Sequence, residues 1–423
     1  MSFDQQFLSL EGLDAGVSLQ VDAAFLKAVP LVLGHWPFRV MAIFDQEIFA
    51  SIVLENGFYT LSSPFLEKAA SYKEPVNALC ALVAELAWAR LREDPSLLCL
   101  HGAAAAISGR LMVFPATRRA GKSTLSVALA AEGMRLFTDD FLPVSVAESG
   151  IISGISSGVS PRLRRPLPPQ IGPVAKAFIA ARETLSNPQY TYVPLQEQES
   201  GRFGEAVPLG AIIFLNREDG ATPALTAISK AEALKTLICQ NFSRTGNAGD
   251  ILAMLEFLAQ NLPVYALVYD EAEPAVALLK ARFSSWAADL PRYRPEAALE
   301  NETAEGLKPF TRYADVSTGQ FEHADGVRVV ASEGKRFLTG RNGQSIHYLN
   351  EGAALIWQIL SEPTSTAEAA EILLAAFPEQ GRAQIEGDVL RSFTEFGQNG
   401  LLRKTETPPV AAPQPATASQ EAP

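Results

Sequence analysis

Histidine and cysteine are scarce in this chain. Its 423 residues include only four histidines and three cysteines, and Cys80, Cys99 and Cys239 lie far apart within apolar runs. These numbers and spacings argue against a zinc site built from the two residue types and against a disulfide framework. We therefore expect the three cysteines to be reduced and packed in the interior.

Positive charge and long apolar runs are lacking as well. The sequence has 35 Lys and Arg residues against 47 Asp and Glu residues, which gives a net charge of −12 and no basic stripe. Because proteins bind duplex nucleic acids through clustered Lys and Arg, this balance argues against a nucleic-acid partner. No apolar run approaches membrane-spanning length, and the first residues lack the order of a secretion signal. We expect a cytoplasmic protein with no membrane partner.

Changes in composition along the chain divide it into five segments. Residues 1–95 alternate apolar and polar positions and then enter a helix, which predicts a strand-rich N-terminal unit with a hairpin turn at 55–57. Residues 96–285 are predicted to form the main domain, 286–322 a polar linker and 323–405 a compact second module. The tail, 406–423, is rich in Pro and Ala and is expected to be disordered.

Strands and helices alternate in the main domain. A buried strand at 209–215 precedes helices near 229–240 and 248–261, a strand at 264–269 and a helix near 273–284. This order favours an α/β fold. The stretch 148–206 is rich in Gly, Ser and Pro, so it is predicted to be loop that shapes the site of a second substrate.

A phosphate-binding loop is the most informative motif. It follows a predicted strand at 111–114 and opens a predicted helix, so main-chain amides and the positive helix end would face an anion. Lys122 is expected to reach the β- and γ-phosphates of ATP or a similar nucleotide, and the Ser123 hydroxyl to ligate Mg²⁺. The predicted nucleotide-binding residues are Ala116, Thr117, Arg118, Arg119, Ala120, Gly121, Lys122, Ser123 and Thr124.

One position departs from the pattern G-x-x-x-x-G-K-[ST]. Ala116 stands where the pattern has glycine, and a Cβ there restricts the backbone and crowds the phosphate. Two interpretations stay open: a reshaped loop in which Arg118 or Arg119 supplies charge, and an ordinary strand-turn-helix with a chance Gly-Lys-Ser.

Three further residues are candidates for phosphoryl-transfer chemistry. Asp139 and Asp140 follow a predicted strand at 135–138, and a carboxylate pair beside a phosphate loop can divide metal binding and proton acceptance. We assign Asp139 to the metal and Asp140 to the base, although the reverse order and two solvated turn aspartates are the alternatives. His101, directly before Gly102, is a candidate contact for phosphate or for the catalytic carboxylate, or else a packed histidine.

These motifs together resemble the HPr kinase/phosphorylase family, protein-serine kinases related to phosphoenolpyruvate carboxykinase. The resemblance covers roughly 98–285 and implies a P-loop core of that type, with catalytic roles for His101, Lys122, Asp139 and Asp140. Arg165 begins an Arg-Pro-Leu run similar to the motif that borders the acceptor region in the HPr-kinase-related branch, so it is a substrate-binding candidate. The family also implies an oligomer.

Two departures narrow what the resemblance implies. Thr124 stands where true HPr kinases have glutamate, and no counterpart of their later Glu-x-Arg-Gly motif is found. We therefore expect a divergent enzyme without the reverse, phosphorolytic activity.

The module at 323–405 has three short predicted strands followed by three helices, a winged-helix-like layout. Asn350 is a predicted helix cap, and Ser365 with Glu368 has capping-box spacing. The segment 348–357 and the run from Asp388 to Leu402 resemble the PqqD family of peptide chaperones and leader-peptide recognition elements. In that family the peptide lies between the third strand and the third helix. The implied contacts here are Ser345, Ile346, His347, Tyr348, Val389 and Phe393.

The prediction that combines these motifs is an ATP- and Mg²⁺-dependent kinase. Its acceptor would be a hydroxyl, that of serine, on a peptide or small protein that the PqqD-like module recruits, as in ribosomal peptide modification. Two other functions remain open: a non-catalytic, nucleotide-gated peptide chaperone, and a kinase for a small metabolite.

Overall fold

The computed structural model describes residues 3–115, 120–243, 247–294, 311–340 and 345–405. The chain divides into two compact units, Met1–Leu299 and Glu300–Pro423. The division falls within the segment predicted as linker, and the predicted disordered tail lies outside the described residues. None of the helices in the described ranges has both the length and the apolar character needed to cross a bilayer.

The N-terminal part of the first unit is a six-stranded sheet with the order β3-β1-β2-β4-β5-β6. Its hairpin between β4 and β5 turns at Asn56 and Gly57, which both have positive φ, as the sequence predicts. The strands are β1 (Gln6–Leu10), β2 (Gly16–Gln20), β3 (Phe38–Met41), β4 (Ile48–Glu55), β5 (Phe58–Ser62) and β6 (Ala70–Tyr72).

Two helices cover this sheet. Helix α1 (Ala23–Leu33) begins after Asp22, whose carboxylate accepts the amide N–H of Phe25. Helix α2 (Pro75–Glu93) starts with proline, which has no amide hydrogen to leave unpaired in a first turn. Leu79, Leu82 and Leu86 of α2 are fully buried, so one face of this helix holds it on the core.

The second sheet of the first unit contains eight strands in the order β11-β10-β7-β8-β15-β17-β16, with β9 also paired to β7. Strands β8, β15 and β17 are parallel, and β11 pairs with both β10 and β15, so five of the strands form a closed circuit. The strands are β7 (Leu98–Ile107), β8 (Arg110–Pro115), β9 (Arg135–Thr138), β10 (Phe141–Val146), β11 (Ile152–Ile155), β15 (Ala206–Arg217), β16 (Ala224–Ala227) and β17 (Val264–Tyr269).

Helices connect the parallel strands of this sheet. Helix α3 (Lys122–Ala131) follows β8 and packs against α7 (Ala272–Arg282), while α5 (Lys230–Cys239) and α6 (Ala248–Asn261) pack together before β17. The α/β character of this region agrees with the alternation in the sequence. The hairpin between β7 and β8 turns at Ser108 and Gly109, which both have positive φ.

The stretch 148–206 contains more regular structure than the sequence predicts. Besides β11 it forms β12 (Arg162–Arg164), α4 (Pro173–Ala180), β13 (Leu185–Ser186) and β14 (Tyr190–Tyr192), and the three strands pair in the order β12-β14-β13. The prediction of loop was wrong for these residues. Strands of two or three residues carry too little periodicity to stand out among Gly and Pro, and the pairing itself stabilises them.

The second unit combines a three-stranded antiparallel sheet with three helices. The sheet consists of β19 (Arg328–Ser332), β20 (Lys335–Thr339) and β21 (Ile346–Leu349) in that order, so β19 and β21 are its edges within the described residues. A separate pair, β18 (Gln320–His323) with β22 (Leu402–Thr405), was not predicted because its partners lie far apart in sequence. The helices are α8 (Glu351–Ile359), α9 (Thr366–Ala376) and α10 (Arg382–Gln398).

Local capping signals in this unit are confirmed. The Asn350 side chain accepts the amide of Ala353 at the start of α8, and Ser365 and Glu368 form the reciprocal capping box of α9. Trp357 is only 2% exposed and packs edge-on against Phe396, so it belongs to the core, as its helical spacing predicts.

Candidate active site

A tight turn opens helix α3 at the end of the loop region. Gly121 precedes the helix with φ of 94°, a conformation that side chains disfavour. A Cβ built on Gly121 would also lie 2.6 Å from the hydroxyl oxygen of buried Tyr269. Glycine is therefore required here both by backbone conformation and by space, at the end of α3 where the first amides of a helix have no partner within the helix itself.

The predicted nucleotide-binding residues fall into two groups. The first group lines one pocket of about 680 Å³ and consists of Ala120, Gly121, Lys122, Ser123 and Thr124. The second group lies outside the described residues and consists of Ala116, Thr117, Arg118 and Arg119. The effect of alanine at the first position of the motif thus stays a prediction.

Asp139 lies at the end of β9 and is tied to the start of α3. The Ser123 hydroxyl donates to Asp139 Oδ2 at 3.0 Å, and the amide of Arg162 donates to the same oxygen at 3.0 Å. The residue is only 6% exposed. A hydroxyl and a carboxylate side by side are oxygen ligands of the kind that Mg²⁺ prefers, so Ser123 and Asp139 fit the predicted metal role.

Asp140 directly precedes β10 and lies beside His101 of β7, since the register of β7 and β10 sets Phe141 opposite His101. His101 Nε2 lies 3.2 Å from Asp140 Oδ1 and 3.4 Å from Lys122 Nζ, while its Nδ1 lies 3.1 Å from Gln240 Oε1. A ring protonated on Nδ1 donates to Gln240 and accepts from Lys122, and a fully protonated ring donates to Asp140. The fold thus brings His101, Lys122, Asp139 and Asp140 together.

The two carboxyl groups differ in their affinity for protons. Burial, together with the charge of Asp140, raises the pKa of Asp139 to about 6 against the opposing hydrogen bonds from Arg162 and Ser123. Burial also acts to raise the pKa of Asp140, but the hydrogen bond from His101 and the charges of Arg162 and Lys122 outweigh it and leave that pKa below its ordinary value. Asp140 is therefore the readily ionised member of the pair, and its side chain is 49% exposed.

Arg162 is a site residue that the sequence analysis did not identify. Its guanidinium lies 3.7 Å from Asp140 Oδ2, stacks 4.8 Å from the centre of the Tyr190 ring and contacts the Cys80 sulfur. Burial acts to lower the pKa of Arg162, but the surrounding groups Cys80, Tyr192 and the aspartates raise it overall. One residue thus holds Asp139 through its amide and Asp140 through its side chain.

Arg165, the arginine chosen from the Arg-Pro-Leu run, is placed differently. It is exposed, its amide donates to the carbonyl of Gln189 at 2.9 Å, and it does not line the pocket, whereas Arg162 and Arg164 do. Alternation along β12 was the signal that could have separated these arginines, because Leu163 is buried and its two neighbours point the other way.

Part of the pocket lining is apolar and comes from elements that the sequence did not connect with the site. Helix α2 contributes Val83, Ala84 and Ala87, and Phe242 also lines the pocket and stacks on Trp88 of the same helix. The sequence predicted a helix for the α2 residues and assigned no role to Phe242, because the pattern of one helix does not show which other element packs against it. The pocket lining thus combines charged and apolar side chains.

The predicted peptide contacts in the second unit also fall into two groups. Edge strand β21 contains Ile346, His347 and Tyr348, and Ser345 directly precedes it. The Ser345 hydroxyl lies 2.7 Å from His347 Nε2. Val389 and Phe393 of α10 are fully buried in the core of the unit. Their apolar spacing therefore serves packing, and a peptide on the surface cannot contact them in this arrangement.

The described residues hold no cluster of three or more His, Cys, Asp or Glu side chains arranged to bind a metal ion. The three cysteines are free, and only Cys99 is fully buried, whereas Cys239 is exposed. The prediction that all three pack in the interior was thus wrong for Cys239, which occupies the last position of α5.

Comparisons with known proteins identify one part of the chain. Residues 336–402 match the family model described as coenzyme PQQ synthesis protein D (PqqD), so the predicted PqqD-like module is confirmed over that range. No curated protein matches the sequence. A solved structure of the Hpr(Ser) kinase/phosphatase from Coxiella burnetii aligns with 44% of this chain and 99% of its own, at 13% identity and a TM-score of 0.23. A similarity at that score supports no conclusion about fold or activity.

Proposed function

We propose that this chain is an ATP- and Mg²⁺-dependent phosphotransferase that phosphorylates a serine hydroxyl on a peptide recruited by its PqqD-family domain. The observation that carries the proposal is the convergence of Lys122, Ser123, Asp139, Asp140 and His101 on one pocket at the start of α3. These are the parts that phosphoryl transfer requires: a cation, a metal ligand set and a carboxylate beside the acceptor.

The nucleotide phosphates would bind at the amino end of α3. Gly121 adds no side chain at the start of the helix, and the helix dipole favours negative charge at this end. Lys122 supplies the positive charge for the terminal phosphates. Ser123 and Asp139 would hold Mg²⁺, which when bound neutralises phosphate charge.

The acceptor hydroxyl would lie next to Asp140. As its oxygen forms a bond to the γ-phosphorus, the bond from that phosphorus to the bridging oxygen breaks, ADP leaves and the hydroxyl proton passes to Asp140. Asp140 is ionised and half exposed, so it can receive this proton. His101 orients the carboxylate through its contact with Oδ1, and Arg162 does so from the other oxygen.

The PqqD-family domain supports a peptide as the carrier of that hydroxyl. Among the described residues β21 lies at one edge of the three-stranded sheet, and an extended peptide can add to such an edge as a further strand. Since one chain carries both the domain and the pocket, a bound peptide is held at an effective concentration that reaches roughly the millimolar range for short linkers. Weak capture would then suffice for transfer.

The test is transfer of radiolabelled γ-phosphate from ATP to synthetic peptides encoded beside the gene, with the full-length protein. We expect label on a peptide with the wild type and none with Lys122→Ala. Lys176→Ala, an exposed lysine on α4, is the matched control and should retain full transfer.

Other outcomes assign the chain to the remaining functions. Binding of nucleotide and peptide without transfer would indicate a nucleotide-gated peptide chaperone, and label on a small molecule would indicate a metabolite kinase. Calorimetry provides the second measurement: we expect Lys122→Ala to weaken Mg-ATP binding about tenfold or more, because a charged contact is lost. A wild-type protein with no Mg²⁺-dependent affinity for ATP or GTP would contradict the proposal.

A further inference from the structure

We infer that helix α2 and Phe242 form an acceptor subsite that selects apolar side chains next to the phosphorylated serine. The inference rests on the proposed function and adds a substrate class to it. Its starting point is the pocket lining, which contains Val83, Ala84, Ala87 and Phe242 in addition to the charged groups. The phosphates account for the charged groups only.

Phe242 is fixed in place from two directions. Its ring stacks on the Trp88 ring of α2 with centroids 4.1 Å apart and planes 24° apart. Its amide donates to the carbonyl of Cys99 on β7 at 2.7 Å. A ring held in this way is a preformed surface, so a ligand that contacts it loses little to side-chain ordering.

The same short segment reaches the proposed base. The amide of His101 donates to the carbonyl of Gln240 at 2.8 Å, and the Gln240 side chain meets His101 Nδ1 at 3.1 Å. Only Asn241 separates Gln240 from Phe242. Phe242 therefore belongs to the segment that contacts His101, close to the place where the acceptor hydroxyl has to lie.

Helix α2 presents small side chains to the pocket. Ala84 and Ala87 are one turn apart, so they share a face of the helix, and both line the pocket. Ala84 is exposed, whereas Ala87 is only 2% exposed and packs with Leu79, Leu82 and Leu86 in the core. A residue of leucine or phenylalanine size fits this chemistry, whereas a charged residue would lose hydration with no partner on the α2 wall.

Two short synthetic peptides that differ only in the residue beside serine test the inference. One has leucine there and the other aspartate, and both are supplied at millimolar concentration to the full-length protein. We expect kcat/KM for the leucine peptide to be about tenfold higher, in line with burial of one apolar side chain. Equal use of both peptides would overturn the inference.

Filling the subsite gives the second measurement. Ala84 is exposed to the pocket, so Ala84→Phe should fold and should lower kcat/KM for the leucine peptide about tenfold while leaving KM for ATP unchanged. Ala84→Asp, a smaller change, should also remove the preference for leucine. Ala177→Phe, at an exposed alanine of α4 outside the pocket lining, is the control and should match the wild type.

The outcomes separate the inference from the proposed function. A rise in KM for ATP with Ala84→Phe would indicate that the apolar side chains of α2 contact the nucleotide and would overturn the inference. Transfer to the gene-adjacent peptides but to neither short peptide would also overturn it, with the kinase function intact. No transfer to any peptide would overturn both.

Discussion

The pocket of the first unit and the sheet edge of the second unit differ in how far their functional groups are buried and held by neighbouring side chains. In the pocket, Oδ2 of Asp139 and both carboxylate oxygens of Asp140 meet donors or cations from three other elements, and Asp139 is almost fully buried. On β21, by contrast, Tyr348 is 38% exposed at the edge of a small sheet. Fixed, desolvated charge suits chemistry, whereas an open backbone edge suits binding of an extended chain.

The largest expected effect concerns the pocket alone. Asp140→Asn keeps the size of the side chain but removes the proton acceptor, so we expect peptide phosphorylation to fall by about 10³-fold. Binding of Mg-ATP and of peptide should change little, which calorimetry can measure. Asp45→Asn, an exposed aspartate far along the chain, is the control. Full activity of Asp140→Asn would remove Asp140 from the role of base.

A smaller effect is expected from the residue that orients the base. Arg162→Met removes the guanidinium beside Asp140, so we expect kcat to fall about 10²-fold and the pKa of Asp140 to rise. The acid limb of the pH–rate profile should then move to higher pH. Arg162→Lys keeps the positive charge, so it should return the acid limb part of the way to its wild-type pH. Arg39→Gln is the control and should match the wild type. A lower rate with an unshifted limb would mean that Arg162 only supports the fold.

Stability should reveal the cost of burying Asp139. In the folded protein the pKa of Asp139 is about 6, whereas an unfolded aspartate has a pKa of 3.8. Because the unfolded state loses its proton first, ionisation of Asp139 destabilises the fold. This loss of stability is absent below pH 3.8 and complete above pH 6. Without Mg²⁺, Asp139→Asn should be about 1–3 kcal/mol more stable than the wild type at pH 8. The difference should vanish near pH 4. Thermal unfolding at both pH values measures it, and a variant less stable at pH 8 would contradict the assignment.

The smallest effect is expected at the sheet edge. Tyr348→Ala on β21 removes apolar surface beside an added strand, so we expect peptide affinity to fall about threefold with no change in Mg-ATP binding. Val329→Ala on β19 is the matched control, because Val329 is 46% exposed on the other edge of the same sheet. An equal loss in both variants would mean that the peptide does not choose β21.

Local signals in the sequence predicted much of the fold. The hairpin at Asn56 and Gly57, the capping box of α9 and the strand-turn-helix around Gly121 each depend on residues close together in the chain. Such features are fixed by backbone conformation and by nearby hydrogen bonds, so a single sequence contains them. The alternation of strands and helices after residue 206 was readable for the same reason.

Contacts between distant segments could not be read in this way. Arg162 becomes part of the site because β12 passes beside the turn that carries both aspartates, and Phe242 because its segment pairs with β7. Helical spacing marked Val389 and Phe393 as one face of α10 but did not say that this face is core. Periodicity identifies the apolar side of an element and leaves the partner of that side undetermined.

Residues 240–242 are hydrogen-bonded to β7, and this limits which substitutions can change the acceptor preference of such a protein without slowing its turnover. A replacement at Phe242 disturbs a segment that also positions the histidine of the site, so a new preference gained there would be accompanied by slower turnover. Ala84 carries no such link, since its side chain faces the pocket and only its helix backbone is shared. Related chains that act on different acceptors should therefore vary at the helix position and keep the aromatic ring.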